Sequence, residues 1–133
     1  MTTFSPVVTD AMSASWWAAL REGRLLVQRN PVSGACQWYP RDHCLDDLSI
    51  KPEWVQVSGH GTLFTYSVIH RGHSRLEAPY VCAVVELAEG PLMLSQLHGI
   101  AVDEITIGMD VSVAFIETDS STSLPVFRPR SNP

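Results

Sequence analysis

Apolar residues recur at every second position over most of this chain, and at every third or fourth in one stretch near its start. That stretch runs from Ala11 to Glu22. Trp16 and Leu20, four apart, share a helix face with Trp17 on its edge, and Ala, Met, Leu, Arg and Glu are good helix formers. Asp10 stands where an N-cap belongs and Gly23 where a helix ends. From Arg24 onward the pattern is that of strands: Leu25–Gln28, Gln37–Pro40, Glu53–Val57, Thr62–His70, Tyr80–Leu87, Leu92–Leu97, Val111–Ile116 and Leu124–Phe127. Gly59 and Gly61 permit a sharp reversal, Glu89-Gly90 signals a hairpin, and residues 101–107 form a short helix or loop. Short strands with glycine-marked corners and little helix predict a mainly β protein whose C-terminal part is a Greek-key barrel of the OB type.

Between the first two strands and the third, the chain has the spacing of a zinc ribbon without its ligands. Two knuckles would be formed by Asn30 with Ser33 and by Cys44 with Asp47. A structural zinc site closes a tetrahedron with four soft ligands, and here only Cys44 is a good one. Cys36 and His43 do not sit at knuckle spacing. The expectation is a remnant that holds no metal, in which Gly34 keeps the positive φ of the turn and hydrogen bonds and the packing of Trp38 and Tyr39 stand in for the ion.

A length of 133 residues suits one compact unit with an N-terminal extension. No apolar run approaches a membrane span, and Met1–Asp10 has neither a basic flank nor an apolar core, so a cytoplasmic protein with no membrane partner is expected. Three cysteines are an odd number that argues against a disulfide framework, and Cys82, in an apolar run, reads as a buried free thiol. The net charge of −5 is uneven: residues 1–79 carry seven basic and seven acidic side chains, whereas Tyr80–Phe127 carries seven acidic and no basic ones. Phe64 and Tyr66 would share a strand face able to stack bases. Without cations on the second half to meet phosphates, a single-stranded nucleic-acid binder is the weakest of the function classes.

Acyl chemistry would need a nucleophile beside a base. The candidates Cys36, Cys44, Cys82, His43, His60, His70, His73 and His98 are scattered, and nothing in the sequence pairs them, so no catalytic residue is assigned. His98, at a strand end, reads as a surface or hydrogen-bonded residue. The one concentrated polar feature is His70-Arg71-Gly72-His73-Ser74-Arg75, where Arg71 and Arg75 either contact coenzyme A phosphates or belong to a solvated loop. There is no P-loop and no dinucleotide-binding glycine fingerprint. Two neighbouring tryptophans on so short a helix are absorbed by the fold or offered to a partner.

The segments Trp16–Arg29, Trp54–Arg71, Ala78–Tyr80, Ile107–Val111 and Leu124–Phe127 together resemble a family of small bacterial and archaeal proteins built from an N-terminal helix, a rubredoxin-like zinc ribbon and a C-terminal OB-fold. That family was long known as a domain of unknown function associated with acyl-CoA enzymes. The resemblance covers residues 15–127 and divides the chain into an N-terminal extension and helix (1–23), a degenerate ribbon (24–52), a barrel (53–128) and a tail (129–133). It implies a non-catalytic accessory subunit of a thiolase-like enzyme, a lipid-transfer-protein-type aldolase or a MaoC-like hydratase, helping to shape the acyl-CoA channel. Three of the four family cysteines are replaced here, which leaves zinc without its ligands. Trp16, Trp17, Trp38 and Tyr39 are the expected docking residues, since aromatic anchors dominate interface energetics. The alternative is a stand-alone module that binds acyl-CoA or CoA itself.

Overall fold

The computed structural model describes residues 10–71, 79–118 and 122–130. Its helix, α1 (Ala14–Arg21), starts three residues later than the pattern predicts. Asp10 does cap, but it caps the turn ahead of the helix: its Oδ1 accepts the Ser13 backbone N–H at 2.8 Å and the Ser13 hydroxyl at 2.8 Å. The helix ends as expected. Gly23 takes φ +75°, its N–H donates to Leu20 O, and the next N–H, of Arg24, donates to Ala19 O, the paired closure of a helix that stops at glycine.

Three strands follow, β1 (Leu26–Arg29), β2 (Cys36–Gln37) and β3 (Glu53–Gln56), and they form a separate sheet in the order β2-β1-β3. Residues 53–56, assigned from the pattern to the start of the barrel, thus pair with β1, with Val27 opposite Val55. The return strand is shorter than Gln37–Pro40 suggested and leaves Trp38, Tyr39 and Pro40 outside the ladder.

The barrel is closed by β4 (His60–Ile69), β5 (Tyr80–Leu87), β6 (Leu92–Leu97), β7 (Asp110–Glu117) and β8 (Ser123–Pro129) in the order β4-β5-β6-β8-β7. A single 3₁₀ turn, Val102–Glu104, connects β6 to β7. Neighbouring strands run antiparallel except β6 and β8, which are parallel and meet in register only at Leu97 and Phe127. This is the five-stranded Greek-key topology of an OB barrel. On β5, Val81, Ala83, Val85 and Leu87 point inward and are buried. Cys82 alternates with them and faces outward half-exposed, so it is not the buried thiol the sequence suggested; that thiol is Cys44.

The register of β4 shifts between Leu63 and Thr65, leaving Phe64 in a bulge. Phe64 is therefore exposed, while Tyr66 lies opposite Ala83 and packs against the core. The two rings do not share a face.

The helix, the small sheet and the barrel share one core: Trp16, Leu20, Leu25 and Val27 belong to the same buried cluster as Leu63, Val85, Met93 and Phe127. Trp16 is fixed there, its indole Nε1–H donating to Leu26 O at 3.0 Å. On β8 the adjacent Val126 and Phe127 are both buried because one faces the barrel interior and α1 lies against the other side of the strand.

Candidate functional site

The four aromatics expected to dock a partner come together. Ring centroids lie 4.8 Å apart for Trp16 and Trp17, 5.0 Å for Trp16 and Trp38, and 5.6 Å for Trp38 and Tyr39, with the first and last pairs edge to face. Their roles differ. Trp16, only 8% exposed, belongs to the core; Trp17 and Trp38 are half-buried, and Tyr39 is 64% exposed. They line a cleft of about 320 Å³ together with Asp10, Ser13, Pro40 and Leu94 of β6.

Trp38 is also the ridge between this cleft and a second, of about 370 Å³, lined by Cys36, Leu45 and Leu92. A third hollow, of about 210 Å³, lies between Leu94 and Pro125 with Trp16 at its base. Leu92 and Leu94 are outward apolar residues of β6, alternating with the buried Met93, and Leu94 is 68% exposed. An apolar band therefore runs from α1 across the small sheet to the outer face of β6. Leu92 and Leu94 were missed from the sequence. Their signal was present, because a strand apolar on both faces needs cover on both.

The two loops of the small sheet are held by side-chain amides and a carboxylate. Asn30 Oδ1 accepts the backbone N–H groups of Val32 and Ser33, and Gly34 has φ +81°, as the knuckle reading requires. Asn30 Nδ2 then donates to Asp46 Oδ1 at 2.9 Å and Ser33 Oγ to Asp46 Oδ2 at 2.7 Å. The residue that reaches the first loop is thus Asp46, not Asp47, whose Oδ1 instead accepts the Ser49 N–H and hydroxyl. Both carboxyl groups are held below the ordinary value by these hydrogen bonds. Deeper in, the buried Gln28 and Gln37 tie the second loop to the strands. Gln37 Nε2 donates to Gln28 Oε1 and His43 O, Gln37 Oε1 accepts the Leu45 N–H, and Gln28 makes both bonds with the backbone of Arg41.

Arg71 is exposed just beyond the end of β4; Arg75 and His73 lie outside the described residues. His98 makes the hydrogen bond expected of it, to Gln96 Oε1 at 2.9 Å, and burial together with the Arg128 charge lowers its pKa.

Residues 54–115 match the family model described as the C-terminal OB-fold domain of ChsH2. A DUF35 domain-containing scaffold protein of Pyrococcus furiosus is 32% identical over 100 residues, which is 74% of each chain. The chain belongs to the DUF35 family. Among solved structures, the fold of this DUF35 protein is similar to a chain of an Ltp2-ChsH2(DUF35) aldolase, with a TM-score of 0.85, 36% identity, and coverage of 93% of this chain and 98% of that one. The probable enoyl-CoA hydratase alpha subunit of Thermomonospora curvata is 38% identical over 118 residues; they make up 88% of this chain but only 37% of that subunit.

The resemblance places a structural zinc in the ribbon of the DUF35 fold, and the residues of this chain do not fit it. Asn30, Ser33 and Asp46 spend their polar atoms on one another and on the backbone. Cys44 is fully buried; burial first, then the charges of Asp46 and Asp47, push its thiol pKa up. Among the described residues, no group of three or more His, Cys, Asp or Glu stands close enough to hold a metal ion.

Proposed function

We propose that the chain is a non-catalytic scaffold subunit of an acyl-CoA-processing complex, assembled with an aldolase-, hydratase- or thiolase-type enzyme. The observation that carries this is the near end-to-end similarity to the chain from the Ltp2-ChsH2(DUF35) aldolase. The apolar band built from Trp17, Trp38, Tyr39, Leu92 and Leu94 supports it, because aromatic and leucine side chains left exposed together are the surface a stable interface covers. In the assembled site Arg71 and Arg75 meet the phosphates of CoA, and the small sheet works without zinc. No helix among the described residues is long and apolar enough to cross a membrane. The complex works in the cytoplasm.

Co-expression with candidate aldolase-, hydratase- and thiolase-type enzymes is the direct test. The pair is expected to elute as one species, and the chain alone should give no heat with CoA. A chain that elutes alone from every such enzyme overturns the proposal, and heat with CoA in its absence favours a stand-alone binding module.

A further inference from the structure

We propose that the cleft between α1 and Trp38–Pro40 is an aromatic cage for a cation, filled in the complex by an arginine side chain of the partner enzyme; this occupant rests on the subunit function proposed above. Trp17, Trp38 and Tyr39 line the cleft together, with the Trp38 and Tyr39 rings at 70° to each other and Trp17 edge to face with Trp16, so ring faces are offered in more than one direction. Among the described residues, Asp10 is the single charged one lining the cleft, and no lysine or arginine lines it. Asp10 Oδ1 is engaged by the Ser13 N–H and hydroxyl, and the carboxylate is exposed at the cleft, where an incoming donor can reach it. The same two bonds favour the ionised carboxylate.

These features select the occupant. A CoA phosphate would meet the Asp10 charge with no cation to offset it, and an acyl chain would cover the carboxylate while satisfying none of its hydrogen bonds. A guanidinium is planar, stacks on aromatic faces and keeps N–H donors free for a carboxylate, which an ammonium does less well. Leu94 offers an apolar wall to the aliphatic stem of the same side chain. The net charge of −5 adds a long-range attraction for a basic partner surface.

The test titrates Nα-acetyl-arginine amide and, as an uncharged near-isostere, Nα-acetyl-citrulline amide into the full chain while the tryptophan indole N–H resonances are followed by NMR. Saturable shifts of Trp17 and Trp38 are expected with arginine. The Trp54 indole, on β3 and not among the residues lining the cleft, serves as the internal reference. Citrulline should bind about tenfold more weakly. Asp10→Asn keeps the Oδ1 acceptor for Ser13 and removes the charge, and should weaken arginine binding by about three- to tenfold. Equal affinity for the two amides, or no saturation with arginine, overturns the cage. Arginine binding in a chain that never joins a partner keeps the cage and defeats the subunit function. Where the complex does form, assembly unaffected by Asp10→Asn overturns the partner's arginine as the occupant.

Discussion

Single residues in this protein are constrained by neighbours that the sequence does not name. Gly59 and Gly61 look like a pair of turn residues, and Gly59 does have φ +82°. Gly61 is required for a different reason. A Cβ there would stand 2.6 Å from the main-chain oxygen of Glu86 on β5, and backbone cannot move aside as a side-chain tip can. Gly61→Ala is therefore expected to cost about 1–3 kcal/mol of unfolding free energy, as overpacking does in a filled interior, readable as a lower urea midpoint with an unchanged slope. The same dependence on neighbours separates Phe64 from Tyr66: one unpaired residue in β4 turns a pair two apart in sequence onto different sides of the sheet.

At the scale of elements, the small sheet is a set of two loops closed by amides. Gln28 and Gln37 are 4% and 7% exposed, and their side chains satisfy backbone groups of the 41–45 loop. Gln37→Leu keeps the apolar bulk but takes the side-chain partner from the Leu45 N–H and the His43 carbonyl, while Gln28 Oε1 keeps the Arg41 N–H. It should destabilise by about 1–3 kcal/mol for each group left buried and unpaired, measured by chemical denaturation. A variant as stable as the parent would mean that water serves these groups equally well. The hairpin reads from the sequence as a metal site lacking ligands, and the spacing does fix both turns. What holds them is legible only in space, because the glutamines sit at strand positions where side-chain amides usually face solvent. Asp46 reaches Asn30 and Ser33 from one position before the expected one, since loop geometry and not knuckle spacing decides which carboxylate faces inward.

For the whole molecule, the resolved pKa shifts of its carboxylates and of its half-buried histidine act in one direction. Asp10, Asp46 and Asp47 are held below the ordinary carboxylate value by hydrogen bonds, so each contributes stability above about pH 4 that is lost as pH falls through its folded value. His98 is lowered from 6.5 by burial and Arg128, so the fold disfavours its proton and loses stability once pH drops below that value. Because His98 N–H donates to Phe127 O where β6 meets β8, this first loss falls on the seam that closes the barrel. Thermal melts from neutral pH downward should fall in two stages, and His98→Gln should remove the first; a melting temperature unchanged between pH 7 and 5 in the parent would contradict it. Local patterning was enough to determine the helix with its glycine stop, the strands and the barrel class, because period, caps and turns are encoded in adjacent residues. It also singled out the aromatic residues that the fold brings together. Only the tertiary structure decided that Trp16 is core while Trp17, Trp38 and Tyr39 open onto a cleft, that β3 joins the small sheet, and that Leu94 and Asp10 complete the site. Those outcomes depend on which residues far apart in the chain compete for the same buried surface, and that competition is settled by packing in space.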